Sequence, residues 1–284
     1  MSTELIETIA ALRERLAPLR RSGATIGLVP TMGALHEGHG SLIEQCAREC
    51  AATVVSVFVN PIQFNQAEDF EKYPRTLAAD VAFCEARGAT FVFAPSNTEM
   101  YPGTLRTSVD VSVLTDHLCG RFRPGHFRGV ATVVTKLFQI VQPDAAYFGE
   151  KDAQQLAVIR RMVRDLNMNL RIVGVPTVRE PDGLAMSSRN RHLPPEERRV
   201  APLLYQALLA AGRAIASGAT DPAEVRGAAL ALLAREPLFK VEYLEVVDHE
   251  EMQPVNQIAG PVRLAAAVWL GSTRLIDNLL CGTE

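Results

Sequence analysis

The sequence predicts an α/β protein: a parallel sheet with helices on both faces, followed by a smaller C-terminal α+β domain. Three observations carry this expectation. Short apolar, β-branched runs alternate with helix-patterned segments through the first 176 residues, the signature of strand–helix–strand units. After about residue 190 the alternation stops, and amphipathic helical segments precede a closing set of strand-like runs. Between the two patterns Pro176, Pro181, Asp182 and Gly183 cluster, a breaker composition that marks a boundary. The expected domains are residues 1–176 and 177–284.

The elements follow in order. "TIGLVP" (25–30) reads as a buried strand, with a helix over about 39–51. "TVVSVFV" (53–59) is a second strand, "RTLAADVAFCEARG" (75–88) a helix with a glycine stop, and "TFVFAP" (90–95) a third strand. "GVATVVTKLFQIVQP" (129–143) has the composition of a buried helix ending before a proline. "AAYFG" (145–149), "DAQQLAVIRRMVRDLN" (152–167) and "LRIVGVP" (170–176) read as strand, helix and strand. In the C-terminal part, "PPEERRVAPLLYQALLAAGRAIASG" is expected to form one long amphipathic helix. "DPAEVRGAALALLARE" follows, with Asp221 at the N-cap and Pro222 at the first helical position. "KVEYLEVVD" and "PVRLAAAVWLG" are strand-like, and "TRLIDNLL" comes last.

Composition excludes several classes of partner. With 48% hydrophobic and 21% charged residues among 284, the chain can build a real core. A net charge of −3 gives no argument for nucleic acid or an anionic membrane as partner. Any anion must therefore be held by local groups. "MSTELIETIAALRERLAPLR" carries acids where a signal peptide has a basic start, and no apolar run is long enough to cross a bilayer. The expected address is the cytoplasm. The five cysteines are odd in number and form no Cys-x-x-Cys pair. Cys46 and Cys50 fall in line with Leu42 and Ile43, as small core residues in a reducing compartment would.

A parallel sheet presents its ligand-binding loops at the carboxyl ends of its strands. The most unusual of these loops is "PTMGALHEGHGSLI" (30–43), which opens a helix. "HEGH" is not the zinc-protease motif, which sets its histidines four apart on one helical face; here they are three apart, with Gly38 between. The plain alternative is two histidines that decorate a helix start. Placement after the first strand favours an anion site instead. Helix N-termini bind anions through unpaired N–H groups and the helix dipole, Gly33, Gly38 and Gly40 allow close backbone approach, and histidines can donate to phosphate oxygens as charge shifts. Neither Gly-x-Gly-x-x-Gly nor a Walker-type Gly-Lys-Ser/Thr accompanies it. What remains resembles the His-x-Gly-His signature of the nucleotidyl-transfer superfamily.

Further stretches narrow the resemblance: "FVNPIQFN" (58–65), "YPRT" (73–76), "RPGHFRGV" (123–130), "FGEKDAQQL" (148–156) and "MSSRN" (186–190). With "PTMGALHEGH" and the C-terminal "AAAVWLGSTRLIDN", they make the chain similar to the pantothenate synthetase, or pantoate–β-alanine ligase, family from about residue 25 onward. The resemblance implies a Rossmann-like nucleotide-binding domain with a lid-like C-terminal domain, usually as a homodimer. It implies ATP-dependent condensation of pantoate with β-alanine through a pantoyl adenylate, releasing AMP and pyrophosphate, with Mg2+ accompanying ATP.

Site residues follow from the resemblance too. Met32, Gly33, Ala34, Leu35, His36, Glu37, Gly38 and His39 would wrap the ATP, with His39 assigned to catalysis and His36 beside it. Gly149, Glu150, Lys151 and Asp152 would meet the nucleotide, Lys151 at the phosphates and Asp152 at a ribose hydroxyl. Val178 would offer a backbone contact to adenine. Met186, Ser187, Ser188 and Arg189 occupy the place of a mobile loop that closes on pyrophosphate. Gln63 and Gln155 would hold pantoate, with Asn60 and Tyr73 as secondary candidates and Gln154 pointing elsewhere. Taken singly, Lys151 could be a solvated lysine, Asp152 an N-cap and "SSRN" a polar loop; the order and spacing of all the motifs favour the site.

Two departures stand out. Family members often place acids near the metal in the helix after "YPRT"; here Ala78 and Ala79 leave only Asp80, so the magnesium ligands stay open. Cys119 stands where many relatives have an acid, in a loop carrying Arg121, Arg123 and Arg128. A nucleotidyltransferase that stops at nucleotide transfer, and a non-catalytic nucleotide-binding module, are the competing readings. "FVNPIQF" with "KDAQQL" argues against the first, and the two histidines with Lys151 and "SSR" against the second.

Overall fold

The computed structural model describes residues 3–65 and 67–282. In chain order the elements are β1 (Glu4–Ile6), α1 (Ile9–Arg21), β2 (Ile26–Thr31), α2 (Glu37–Glu49), β3 (Ala52–Val57), a 3-10 turn Pro61–Gln63, α3 (Ala67–Lys72), α4 (Leu77–Glu85), β4 (Phe91–Phe93) and α5 (Asn97–Met100). Then come α6 (Leu118–Phe122), α7 (His126–Val141), β5 (Ala145–Gly149), a 3-10 turn Glu150–Asp152, α8 (Ala153–Asp165) and β6 (Arg171–Val175). After a 3-10 helix Ser188–His192, the chain ends with α9 (Pro195–Val200), α10 (Leu203–Ala216), α11 (Pro222–Leu233), β7 (Phe239–Asp248), β8 (Val262–Leu270) and β9 (Thr273–Cys281).

Two compact units result. One contains the described residues to Val111 together with Arg123–Glu150 and Val158–Pro176. The other contains Ser112–Phe122, Lys151–Ala157 and the described residues from Thr177 onward.

The first unit is built on an all-parallel six-stranded sheet in the order β1-β4-β3-β2-β5-β6. Period-two alternation splits its apolar residues between the faces. Val29, Val55, Val92 and Tyr147 pack with Leu42, Ile43 and Cys46 of α2 and Cys84 of α4. On the other face Phe148 meets Phe138 of α7, with ring centroids 6.4 Å apart. Gly27 of β2 leaves the space that Cys46 and Cys50 fill: a Cβ there would lie 2.2 Å from the Cys46 sulfur. All five cysteines are free thiols, and Cys46 and Cys50 pack against the sheet as expected. The chain passes from β2 outward through β3 to β4 and then returns to the other side of β2 with β5. The strand order therefore reverses between β2 and β5, whose carboxyl ends carry "MGALHEGH" and "GEKD". That is where such sheets bind ligands.

The second unit has a three-stranded antiparallel sheet, β7-β8-β9, covered by α10 and α11. Its core joins Leu204, Leu208 and Ala211 of α10, Val225 and Ala229 of α11, and Leu244, Leu264, Val268 and Leu275 of the strands. Asp221 caps α11 as expected, accepting from Ala223 N at 2.8 Å.

The structure departs from the sequence expectation in a long helix and in an edge strand, besides the short helices α3, α5 and α6. The single long helix over "PPEERRVAPLLYQALLAAGRAIASG" is two, α9 and α10, because Pro202 has no N–H to donate and its ring clashes with the preceding turn. The edge strand β1 was not expected; three residues are too few to show a period, and pairing with β4 makes them a strand.

Candidate active site

The loop after β2 is held from within. Thr31 donates its hydroxyl to Ser56 O at 2.7 Å and accepts from Gly33 N at 3.1 Å. Gly33 has φ +83, and a Cβ on it would sit 3.0 Å from Asp80 Oδ2 and from Val57 Cγ1, so glycine is required. Ala34 follows at φ 51, a left-handed conformation that costs a residue with a Cβ about 1 kcal/mol. Leu35 sinks its side chain into the core beside Leu42 and Val55.

The histidines then start α2. His36 is the N-cap, and its Nδ1 accepts from Gly38 N at 3.1 Å; His39 Nδ1 accepts from His36 N at 3.3 Å. This is a reciprocal capping box made from two imidazoles, with ring centroids 4.1 Å apart. Because Nδ1 accepts, each neutral ring carries its proton on Nε2, as a donor. Most of the N–H groups expected to meet an anion here are bonded within the chain. Gly33, Ala34, Leu35, His36, Gly38, His39 and Gly40 all donate their N–H within the chain. The two side chains that cap the helix with Nδ1 carry their own donors at Nε2. The Glu37 carboxylate is turned to Arg87, at 2.6 Å.

Met32 and Gln63 meet. Gln63 Nε2 lies 2.9 Å from Met32 Sδ, and its Oε1 accepts from Asn60 Nδ2 at 3.0 Å. Tyr101 donates to Asn60 Oδ1 at 2.8 Å, and burial pushes its phenol well above the usual range, so it stays a donor. That chain of bonds orients Gln63 with Nε2 as its donating end. Gln63 also lines a cavity of about 290 Å³ with Phe64, His126, Arg128 and Thr132. Its carbonyl is 2.9 Å from His126 Nδ1, and His126 Nε2 is 3.2 Å from Arg123. Tyr73 stacks edge-on against Phe64. Gly149 closes β5, paired with Val175 of β6, and Glu150 begins the following turn.

In the second unit the remaining candidates gather around β9. Asn278 donates to Lys151 O at 2.9 Å, and Lys151 Nζ lies 3.7 Å from Asp152 Oδ2. Gln154 is buried and donates to Leu114 O and His117 O, both at 2.8 Å. It is thus a structural residue, while Gln155 beside it is half-buried. Val178 and Met186 are brought together, Met186 N donating to Val178 O at 3.0 Å. The turn between them is fixed by Arg179, which makes a two-pronged bond to Asp277 at 2.6 and 2.9 Å and lies 3.5 Å over the Tyr205 ring. Ser187 Oγ accepts from Arg189 N at 3.2 Å; Ser188 is half-buried and Arg189 exposed. Asn190 anchors the far end on Glu180 and Ala185 O.

Asp80, the acid left where family members often place acidic residues, does not fit a magnesium ligand. Both oxygens of Asp80 are taken by hydrogen-bond donors, and among the described residues no group of three His, Cys, Asp or Glu could hold a metal ion. Sequence reasoning missed the supporting roles of Asp80, Tyr101, His126, Asp277 and Asn278. His126 lay inside "RPGHF" and the last two inside "TRLIDN", so the motifs flagged them without a role; Tyr101 carried no signal.

Comparison with known proteins agrees over nearly the full length. The family model of pantoate–β-alanine ligase matches residues 4–280. Pantothenate synthetase of Pelotomaculum thermopropionicum is 51% identical over 275 residues, covering 97% of this chain and 98% of that one. The crystal structure of the enzyme from Thermus thermophilus superposes with a TM-score of 0.92 at 48% identity, covering 98% of this chain and 99% of that one. The Francisella tularensis ligase, solved with β-γ ATP and β-alanine, superposes with a TM-score of 0.82 at 33% identity, over 100% and 99% of the two chains. No helix among the described residues is long and apolar enough to cross a membrane. The chain belongs to the pantoate–β-alanine ligase family and is an enzyme of that kind.

Proposed function

We propose that this chain joins pantoate to β-alanine in two steps, with ATP as the activating substrate. A pantoate carboxylate oxygen attacks the α-phosphorus of ATP, and the bond to pyrophosphate breaks. The amine of β-alanine then attacks the acyl carbon, the carbon–oxygen bond to AMP breaks, and the amine proton leaves to solvent. Pantoate is already ionised at neutral pH, so the first step needs no general base. It needs two anions brought together and the charge on the phosphoryl groups met by donors.

The observation that carries this reading is the histidine pair. His36 and His39 cap α2 with Nδ1 and so bear donors at Nε2, at the strand end where the sheet order reverses. We assign His39 to the phosphoryl group in its transition state and His36 to the neighbouring phosphate, with the backbone of Met32 to Gly38 around the nucleotide. Lys151 meets the phosphates as a compact charge, Asp152 a ribose hydroxyl, and Val178 adenine; Met186 to Arg189 receive the leaving pyrophosphate. Gln63 and Gln155 hold pantoate, Gln63 through its donating Nε2. The β-γ ATP and β-alanine complexed with the Francisella tularensis relative support ATP and β-alanine as ligands here. Magnesium enters with ATP, carried by phosphate and water oxygens. The homodimer and a cytoplasmic location rest on the family resemblance.

The test is AMP release. The purified chain is incubated with ATP, magnesium, pantoate and β-alanine, and each component is withheld in turn. AMP that depends on both organic substrates supports the ligase; an absence of AMP under every combination overturns it.

A further inference from the structure

We propose that Asp80 is a positioning residue for the histidine loop and not a ligand of the metal that travels with the nucleotide. The inference deepens the ligase reading, and its kinetic part rests on it. Asp80 lies on α4 and is only 3% exposed. Its Oδ1 accepts from Leu35 N at 2.9 Å; its Oδ2 accepts from Ala34 N at 3.1 Å and from the Thr76 hydroxyl at 3.1 Å. Donors of this kind offset the cost of burying a polar group.

What Asp80 holds is the strained point of the loop. Ala34 is left-handed, and Gly33 turns so tightly that a Cβ would touch the same carboxylate. One residue after Leu35 comes His36. The two amide bonds therefore set the backbone from which both imidazoles are aimed. A cation at Asp80 would face the positive ends of two N–H dipoles, whereas magnesium asks for an octahedron of oxygens. Asparagine keeps the shape but can accept at only one end, so its NH2 would oppose the Ala34 N–H, donor against donor.

The experiment compares the wild-type chain with Asp80→Asn and Thr76→Val by two readouts. Amide hydrogen exchange at Ala34 and Leu35 needs no activity. Steady-state AMP formation gives kcat, the KM for ATP, the KM for β-alanine and the magnesium concentration at half-maximal rate. In Asp80→Asn the two amides are expected to lose protection. We expect kcat to fall about tenfold to a hundredfold, as for a misaimed catalytic group, with a raised KM for ATP. The KM for β-alanine and the magnesium requirement should stay put. Thr76→Val, which spares the loop's own bonds, should show the same pattern at about two- to fivefold. It carries the test should Asp80→Asn not fold. Wild-type exchange and kinetics in Thr76→Val, or in a folded Asp80→Asn, overturn the proposal. So does an Asp80→Asn enzyme that needs about tenfold more magnesium and regains full turnover once saturated, the behaviour of a lost ligand. A wild-type chain that makes no AMP would remove the ligase reading, while the exchange data would still decide what Asp80 holds.

Discussion

Asp80 and Asp277 are both almost wholly buried carboxylates, 3% and 4% exposed, and each stands behind a loop that the ligase reading needs. They hold those loops by different means. Asp80 takes two backbone N–H groups, so it fixes main-chain angles directly. Asp277 takes the guanidinium of Arg179, a side chain several residues before "MSSR", so the backbone of residues 186–189 is held only at a distance. The surroundings match. Ala34 and Leu35 are buried, whereas Met186, Ser187 and Ser188 are half-buried and Arg189 is exposed. A carboxylate bonded to amides builds a fixed grip, as stabilising a transition state requires. A carboxylate bonded to an arginine builds an anchored hinge, which suits the role proposed for this loop, admitting ATP and releasing pyrophosphate.

The largest expected effect tests the fixed grip. His39→Ala removes a donor assigned to the transition state, and AMP formation should fall by about 10²–10³-fold. The variant should keep its far-UV circular dichroism, losing only about 1 kcal/mol with the cap. Wild-type turnover would take His39 out of the mechanism and leave it as a helix cap. The next effect falls on the other anchor. Asp277→Ala strips Arg179 of a buried partner and should cost about 3 kcal/mol of stability, read as a lower urea midpoint at unchanged slope. Its folded fraction should lose less turnover than His39→Ala does. An unchanged midpoint would show that the stacking of Arg179 on Tyr205 suffices, and the contrast between the two anchors would collapse.

The fold was largely legible because its signals are local. Apolar runs rich in β-branched residues named β2, β3 and β6, the short run "AAYFG" named β5, and Asp221 with Pro222 named the start of α11. Pro202 was equally visible, yet the apolar period on both sides of it hid the break between α9 and α10. The site was legible only in part. The histidines announce themselves by spacing, but their use of Nδ1 as a cap, which takes up the His36 and Gly38 amides, depends on rotamers that no pattern encodes. The anchors were harder still. Asp80 reaches amides 45 and 46 residues away, and backbone N–H groups have no letter in the sequence. Asp277 and Arg179 lie 98 residues apart, and the motif that holds Asp277 gave no hint of Arg179.

The central claim, that pantoate's own carboxylate attacks the α-phosphorus, can be read from one isotope. Pantoate labelled with 18O in both carboxylate oxygens is turned over with ATP and β-alanine, and the AMP is weighed by mass spectrometry. The account predicts one 18O in each AMP, with the other retained in the amide carbonyl of the product. AMP free of label, or label in inorganic phosphate with ADP as co-product, would contradict it.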